Sequence, residues 1–416
     1  MPDLTNQQIY ISASLVALPL FVLWSWRQRR LNIEAAEMAQ APTKTVVIIG
    51  GSFAGIGVAH GLLKEVPSAK VVLVNPSEDL YFNVASPRLS TRPNDIPREK
   101  YIYPIAPVFH KHANAKKNFE FVLGKATSID LQGKNVIVQV NSGSSKTLAY
   151  DYVVIASGST SNATTGTNSL QVPFKQSGSG KIEAELKAAQ EAIKAAKSVI
   201  IGGAGAVGVE FAGEIAEAYP GVEVTLLTNS DNVLFGLREP TRQKAAKILK
   251  QKGVKILTDK TVTSASKDAG KWSVVTADGQ TLTADIYVST TGVLPNNEFI
   301  PASLLNNNGW VEVDNHFVSK TDPSVYAVGD ITQYSARLLS RVSGQVSVLI
   351  SNLKADITGK GKRAAYKDDP SRMVVMPMGK STGTGQIGSF TPPGFMVSFV
   401  KGKDYFTGSA KKFISG

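Results

Sequence analysis

Two short glycine-rich segments are the part of this sequence best suited to binding a ligand. The first consists of Gly50, Gly51, Ser52, Phe53, Ala54 and Gly55. The second consists of Gly203, Gly205, Ala206, Val207 and Gly208. Both follow the spacing G-x-G-x-x-G, with serine in place of the middle glycine in the first segment. Glycines at this spacing permit a tight turn, bring the backbone close to a pyrophosphate and let a helix pack on a strand.

An apolar, strand-like run precedes each segment, and a helical pattern follows it. The free N–H groups and partial positive charge at the start of such a helix attract phosphate. Two such units in one chain therefore predict two dinucleotide-binding sites. The alternative is that both turns are only compact connections between a strand and a helix.

The acidic residue that usually binds the ribose of NAD is absent from both units. Asn75 stands at the end of the second strand of the first unit, and Thr228 and Asn229 stand there in the second. Because no carboxylate would repel a 2′-phosphate, the second unit is expected to accept both NADH and NADPH. Arg238 and Arg242 are the nearby cations along the chain.

The elements around these turns predict an α/β fold with two Rossmann-like dinucleotide-binding domains, a C-terminal segment and an N-terminal membrane helix. The membrane helix is predicted from the stretch between Ile9 and Trp26, which carries no charge over 18 residues. A helix of that length spans roughly 27 Å, close to the ~30 Å apolar core of a bilayer. Three arginines follow directly, which predicts that the bulk of the protein faces the cytosol. A buried helix of the globular part is the alternative.

The 416-residue chain carries a net charge of +12, four histidines and no cysteine. Without cysteine it has no disulfide, no thiolate metal ligand and no redox dithiol. The histidines are scattered, so no metal site is expected. The basic charge suits a solvated surface, an anionic membrane, a nucleic acid or an anionic substrate.

Other motifs of the sequence resemble those of flavoproteins with two dinucleotide-binding domains. VVIASGS and VSTTGVLPN resemble the crossover motifs between the domains, and SVYAVGD, which ends at Asp330, resembles the second FAD motif. FNVASPR, YPGVEVTLL and MGKSTGTGQIGSF resemble the apoptosis-inducing-factor-like group that includes ferroptosis suppressor protein. The resemblance implies FAD, ring-hydroxylated in some members, on the first unit and NADH or NADPH on the second.

The resemblance also implies how FAD is held. Asp330 is expected to bond the ribityl chain, Arg88 to lie near the pyrophosphate, and the backbone of Val122 to lie at the adenine. Asn75 takes the position of the ribose contact. The sequence departs from the group at Ser52, at Asn75 and in its hydrophobic anchor, since animal members carry a lipidation signal instead.

Three residues are expected at the reacting end of the cofactors. By the same resemblance, Ser86 and Pro87 lie beside the flavin ring and Glu210 faces the nicotinamide. A carboxylate that only favours the start of its helix is the alternative for Glu210. The segment from Pro392 to Phe406 mixes apolar and lysine residues, which predicts an edge that touches a membrane; ordinary packing is its alternative.

The predicted organisation has five regions: 1–42, anchor and linker; 43–160, FAD-binding domain, first part; 161–290, NAD(P)H-binding domain; 291–370, FAD-binding domain, second part; 371–416, membrane and quinone side. The resemblance, together with the predicted anchor, implies a membrane-attached NAD(P)H:quinone oxidoreductase at the mitochondrial outer membrane, endoplasmic reticulum or lipid droplet. A nucleic-acid-binding effector with a regulatory flavin and a soluble reductase of a protein partner are the alternatives. The quinone and the oligomeric state stay open.

Overall fold

The structure is a computed structural model, and it describes residues 25–30, 44–140, 143–176, 178, 181–334, 337–369 and 373–415. Of the predicted membrane span, only Ser25 and Trp26 fall within these ranges, at the start of a helical stretch at 25–30. Residues 9–24 lie outside them. In the described ranges, no helix combines the length and the apolar character that crossing a bilayer requires.

The strands of the described residues follow the chain from Lys44 onwards. They are β1 (Lys44–Ile49), β2 (Ala69–Asn75), β3 (Asp79–Tyr81), β4 (Ile102–Pro104), β5 (Phe119–Asp130), β6 (Asn135–Val140), β7 (Ser145–Ala149), β8 (Tyr152–Ile155), β9 (Ser159–Thr160), β10 (Ser198–Gly202), β11 (Glu223–Leu227), β12 (Lys255–Leu257), β13 (Val262–Asp268), β14 (Lys271–Thr276), β15 (Thr281–Ala284), β16 (Ile286–Ser289), β17 (Leu294–Pro295), β18 (Val325–Ala327), β19 (Met373–Pro377) and β20 (Gly383–Ile387).

The α-helices of the same residues lie between these strands and after them. They are α1 (Phe53–Glu65), α2 (Ser86–Leu89), α3 (Ala115–Asn118), α4 (Asn162–Thr165), α5 (Ile182–Ala195), α6 (Ala206–Ala218), α7 (Glu239–Gln251), α8 (Leu339–Thr358), α9 (Gly394–Val397) and α10 (Ala410–Ile414).

The first sheet has seven strands in the order β18-β8-β1-β2-β5-β6-β7. Its centre is parallel: β1 pairs with β2 on one side and with β8 on the other. Val46, Val47 and Ile48 are fully buried, as expected for a strand that is covered on both faces. Strand β18 comes from far along the chain and pairs with β8, so two distant parts of the sequence build one sheet.

The second sheet has four parallel strands in the order β12-β11-β10-β16. Strand β10 lies between β11 and β16, just as β1 lies between β2 and β8. In such a sheet, the connections from two neighbouring strands run to opposite sides. A crevice opens between them at the carboxyl ends of the strands, and ligands bind there. The topology confirms the predicted α/β fold with Rossmann-like sheets.

The C-terminal segment begins with the hairpin of β19 and β20. It continues through α9, a π-helical turn at Ser398–Gly402 and α10. Tyr405 and Val397 are buried, whereas Phe395 and Phe399 are 73% and 82% exposed. One side of the segment therefore packs on the protein and the other presents aromatic side chains to the outside.

Candidate functional site

The first glycine turn joins β1 to α1 at the carboxyl end of the first sheet. Gly50 has a φ of +113°, and a Cβ atom there would lie 2.3 Å from the carbonyl oxygen of Ala156. A Cβ atom on Gly55 would lie 1.8 Å from the carbonyl oxygen of Gly50. These two positions therefore require glycine, because no side chain fits there.

Ser52 is the N-cap residue of α1, and its φ of −106° is an extended conformation open to any residue. Its side chain makes no capping hydrogen bond to the helix and lines the first cleft. Serine at the middle position therefore keeps the turn intact and adds a hydroxyl group where phosphate would bind. The first turn fits a pyrophosphate.

Asp330 reaches the same cleft from the turn after β18. Its Oδ2 atom accepts hydrogen bonds from Ser159 Oγ at 3.0 Å and from Lys175 Nζ at 2.7 Å. Burial raises the pKa of this carboxyl group, but the charge and hydrogen bond of Lys175 outweigh burial and hold the pKa below its usual value. The predicted ribityl contact requires such an ionised acceptor.

Asn75 serves the turn itself. Its Oδ1 atom accepts from the backbone N–H of Gly51 at 2.8 Å, and its Nδ2 atom donates to the carbonyl oxygen of Ser77 at 2.7 Å. Val122 lies on β5 opposite Val74 of the neighbouring strand β2, and Val74 directly precedes Asn75. The structure thus gives Asn75 a role in shaping the turn, and the ribose and adenine contacts of Asn75 and Val122 stay predictions.

The second glycine turn joins β10 to α6 and repeats this geometry. Gly203 has a φ of +104°, and a Cβ atom there would lie 2.4 Å from the carbonyl oxygen of Thr290. A Cβ atom on Gly208 would lie 2.0 Å from the carbonyl oxygen of Gly203. At Gly205, the N-cap residue, a Cβ atom would meet nothing within 4 Å.

The second cleft opens at this turn and is lined by neutral residues at the end of β11, Thr228 and Asn229. Lys260, from the loop after β12, also lines it. The two arginines that the sequence suggested as nearby cations are engaged elsewhere. Arg242 pairs with Asp231 and Glu239, and Arg238 donates to the carbonyl oxygen of Ser389. Closeness along the sequence therefore indicated the wrong cations. Lys260 reaches the cleft because β12 pairs with β11, which brings the loop after β12 to the end of β11.

Arg88 does not line the first cleft, and its predicted place near the FAD pyrophosphate stays a prediction. It is fully buried, and its Nε and Nη2 atoms donate to Glu214 of α6 at 2.7 and 2.8 Å. Nη1 donates to Asp95 and Nη2 also donates to the carbonyl oxygen of Gly402. The carboxylate of Glu214 is itself fully buried, and Arg88 supplies the cation that stabilises it there.

Ser86 and Pro87 are buried in α2, on the element that carries Arg88. Ser86 Oγ donates to the carbonyl oxygen of Asn83 at 2.7 Å and lies 2.9 Å from the hydroxyl of Tyr81. Asn83, rather than Ser86, lines the first cleft. A place for Ser86 and Pro87 beside the flavin ring stays a prediction.

Glu210 lies in the first turn and a half of α6 and is 4% exposed. Its Oε1 atom accepts from Lys401 Nζ of the C-terminal segment at 2.6 Å. Burial raises the pKa of this carboxyl group, while the charge of Lys401 works against that shift. The pair places the C-terminal segment directly against the helix that begins at the second glycine turn.

Several residues of these sites were missed by sequence reasoning. They are Lys175, Ser159, Glu214, Lys260, Lys401 and Tyr405. Most of their partners lie far away along the chain, as with Lys401 and Glu210, which are 191 residues apart, whereas Lys260 pairs with Asp278 18 residues further on. The strand order offered a signal for Lys260 alone, since parallel neighbours bring their carboxyl ends to one edge.

Comparison with known proteins identifies the class. Residues 44–348 match the model of the pyridine nucleotide-disulphide oxidoreductase family, and the chain belongs to that family. It is a flavin-dependent oxidoreductase that uses FAD and NAD(P)H. Since the chain has no cysteine, it has no residue for the dithiol chemistry in the family's name.

The chain is 36% identical over 385 residues to oxidoreductase ptaL of Pestalotiopsis fici, and the alignment covers 90% of this chain and 99% of that protein. It is 28% identical over 389 residues to ferroptosis suppressor protein 1 of Xenopus tropicalis, with 88% and 95% covered. The solved structure of sulfide:quinone oxidoreductase from Aquifex aeolicus has a TM-score of 0.72 at 20% identity, with 89% and 91% of the chains covered. That structural likeness shows the fold.

Proposed function

We propose that this protein is a membrane-attached NAD(P)H:quinone oxidoreductase of the apoptosis-inducing-factor-like group. FAD occupies the first cleft and NAD(P)H the second. The observation that carries the proposal is the C-terminal segment, which packs between the two units on one side and exposes aromatic residues on the other. The distant ferroptosis suppressor relatives support membership of the group.

Aromatic packing connects the first cleft to the C-terminal segment. Phe53 lines the cleft and packs edge-on against Phe82, with ring centroids 5.8 Å apart. Phe82 in turn packs against Phe413 of α10, at 6.4 Å. An apolar substrate that enters beside α10 would therefore meet apolar side chains on its way to the flavin.

The exposed side of the C-terminal segment suits a membrane surface. Phe395 and Phe399 lie about one helical turn apart, and Met396 and Val400 beside them are 38% and 46% exposed. Contiguous exposed apolar groups mark contact with a membrane or another protein. With the exposed Lys403 nearby, the segment has the aromatic and basic character of an interfacial anchor.

Bound FAD supplies the chemistry of accepting a hydride and passing electrons to a second substrate. The residues of this chain bind and orient. The two glycine turns present backbone N–H groups to the pyrophosphates, and Asp330 accepts hydroxyl hydrogen bonds. Leu339, the first residue of α8, lines the first cleft, so the positive end of that helix favours negative charge there.

Glu210 is proposed to orient the nicotinamide. It follows the second glycine turn by two residues and is buried beside the C-terminal segment. Lys401 donates to this carboxyl group at 2.6 Å and works against the rise in its pKa that burial causes. The C-terminal segment covers Glu210 through this contact.

The exposed aromatics give the sharpest test. FAD-loaded protein with Phe395→Ser and Phe399→Ser should oxidise NADH normally with a short-chain soluble quinone. With a long-chain quinone embedded in liposomes, its rate should fall about tenfold, because the apolar contact with the bilayer is lost. Ile137→Ser is the matched control, since Ile137 is an exposed apolar residue of β6 outside the C-terminal segment.

The same assay separates the alternatives. NADH oxidation that no quinone accelerates, but that an oxidised ferredoxin does, would assign the protein to soluble electron transfer. Tight binding of duplex DNA at 200 mM salt without quinone reduction would favour the nucleic-acid effector. Deletion of residues 1–30 should release the protein from membranes and preserve activity with soluble quinone, because β1 begins only at Lys44.

A further inference from the structure

We propose that Lys260 recognises the 2′ position of the adenosine ribose in the second cleft, and that Asp278 competes with a 2′-phosphate for it. This inference rests on the proposed binding of NAD(P)H in that cleft. It assigns coenzyme preference to a pair of residues outside the glycine turn and outside the end of β11.

The position of Lys260 follows from the sheet. In a Rossmann unit, the residue at the carboxyl end of the second strand lies at the ribose hydroxyls, and here that position is Thr228. The backbone N–H of Lys260 donates to the carbonyl oxygen of Thr228 at 2.8 Å, and that of Thr228 donates to the carbonyl oxygen of Leu257 at 3.0 Å. Lys260 is therefore fastened beside the ribose position by main-chain hydrogen bonds.

Charge makes Lys260 the recognising group. Among the described residues that line the second cleft, it is the one with a charged side chain. Thr228 and Asn229 neither attract nor repel a 2′-phosphate by charge. An ammonium group forms charge-assisted hydrogen bonds to phosphate oxygens, so NADPH gains a contact that NADH does not make.

Asp278 limits this gain. Its Oδ2 atom pairs with Lys260 Nζ, and its Oδ1 atom accepts from Thr276 Oγ1 at 2.5 Å. The carboxylate is fixed in the turn between β14 and β15 and is about half exposed. A 2′-phosphate must displace it and also approaches its negative charge. The balance between attraction and competition leaves both coenzymes usable.

The adenine has a different neighbour. Phe235 lines the second cleft and is 79% exposed, and the loop that carries it is held to the glycine turn by a hydrogen bond from Leu234 N–H to the carbonyl oxygen of Ala204 at 2.8 Å. An exposed ring at the cleft offers a stacking surface that is common to NADH and NADPH. Replacing Phe235 therefore provides a control that should weaken the binding of both coenzymes alike.

The test measures binding of two fragments to the full-length holoprotein by calorimetry, namely adenosine 2′,5′-bisphosphate and adenosine 5′-monophosphate. Lys260→Met should weaken the bisphosphate about tenfold, the size of one charge-assisted contact at a partly exposed site, and leave the monophosphate within about twofold. Asp278→Asn should tighten the bisphosphate several-fold. Both effects should shrink at high salt, because the groups are partly exposed.

Two variants control for other causes. Lys267→Met removes the same charge from an exposed site on β13 and should leave both fragments unchanged. Phe235→Ala should weaken both fragments by the same factor. Equal weakening of the two fragments by Lys260→Met, or no change, would overturn the assignment of Lys260. Binding of neither fragment to the unaltered protein would overturn the proposed NAD(P)H cleft itself.

Discussion

The two glycine turns of this protein share one spacing and differ at its middle position. Ser52 and Gly205 both cap their helices in extended conformations, with φ of −106° and −73°. Neither position needs the left-handed backbone that favours glycine. The outer glycines of both turns have no room for a Cβ atom. The comparison shows that geometry requires the two outer glycines of the motif, whereas the middle one only leaves space open to the cleft.

The clefts also differ in how their charges are placed. In the first, Asp330 is 19% exposed and is held by Lys175 and Ser159. In the second, the carboxylate of Asp278 beside Lys260 is 49% exposed, and the end of β11 is neutral. A sheltered, ionised acceptor suits a resident cofactor, and an open cleft suits a coenzyme that enters and leaves in every cycle.

The largest expected effect comes from filling an outer glycine. Gly208→Ala would place a Cβ atom 2.0 Å from the carbonyl oxygen of Gly203, so the backbone of the second turn must move. Reduction of the flavin by NADH should then be lost, with full FAD content, as measured by stopped-flow absorbance. Gly205→Ser copies the first turn into the second and should stay within about threefold of the original rate, well below the tenfold that 1.4 kcal/mol would give. Equal damage from both variants would contradict the comparison.

The next largest effect concerns the first cleft. Asp330→Ala removes a charge-assisted acceptor worth about 1.5–3 kcal/mol, which corresponds to about tenfold to hundredfold in affinity. FAD content after dialysis, measured by absorbance per protein, should fall, while Asp368→Ala on the exposed surface should keep it. Full flavin occupancy in Asp330→Ala would remove this carboxylate from the cofactor site.

The glycine turns were predictable because each is built from residues that are neighbours in the sequence. The carboxylate of Asp330 was identified from a local motif. The ion pair of Arg88 with Glu214 was not predicted, because Glu214 lies 126 residues further along and only the folded chain brings the two together. Lys401 escaped notice for the same reason, and Lys260 was missed because its place at the second cleft depends on the pairing of β11 with β12. Local patterns thus identify the turns, whereas the charge pairs between distant segments depend on packing.

A smaller effect is expected at Glu210, which is buried against the C-terminal segment. If this carboxylate orients the nicotinamide, Glu210→Gln should slow flavin reduction by NADH about tenfold, the cost of one hydrogen bond to a charged group. Reoxidation of reduced flavin by quinone should not change. If it only favours the helix start, the variant should lose about 0.3–1 kcal/mol of stability and keep both half-reactions. Lys401→Met should reproduce the slower flavin reduction, because the contact that holds the Glu210 side chain in place is then lost.

The smallest effect concerns stability, and again the units differ. His60 of α1 occupies the helix position that Gly213 occupies in α6. Burial lowers the pKa of His60 from 6.5 to about 4, with Lys111 and His112 acting in the same direction. The neutral ring bonds His112 Nε2 at 2.8 Å and the carbonyl oxygen of Ile414 at 3.0 Å, which fastens α10 to the first unit.

The unfolded chain takes up this proton first, so the free energy of unfolding should decrease as the pH falls from 6.5 towards 4. Urea unfolding at pH 7 and pH 5 should show a smaller decrease for His60→Gln than for the unaltered protein. An equal decrease in both would assign the acid sensitivity to other groups.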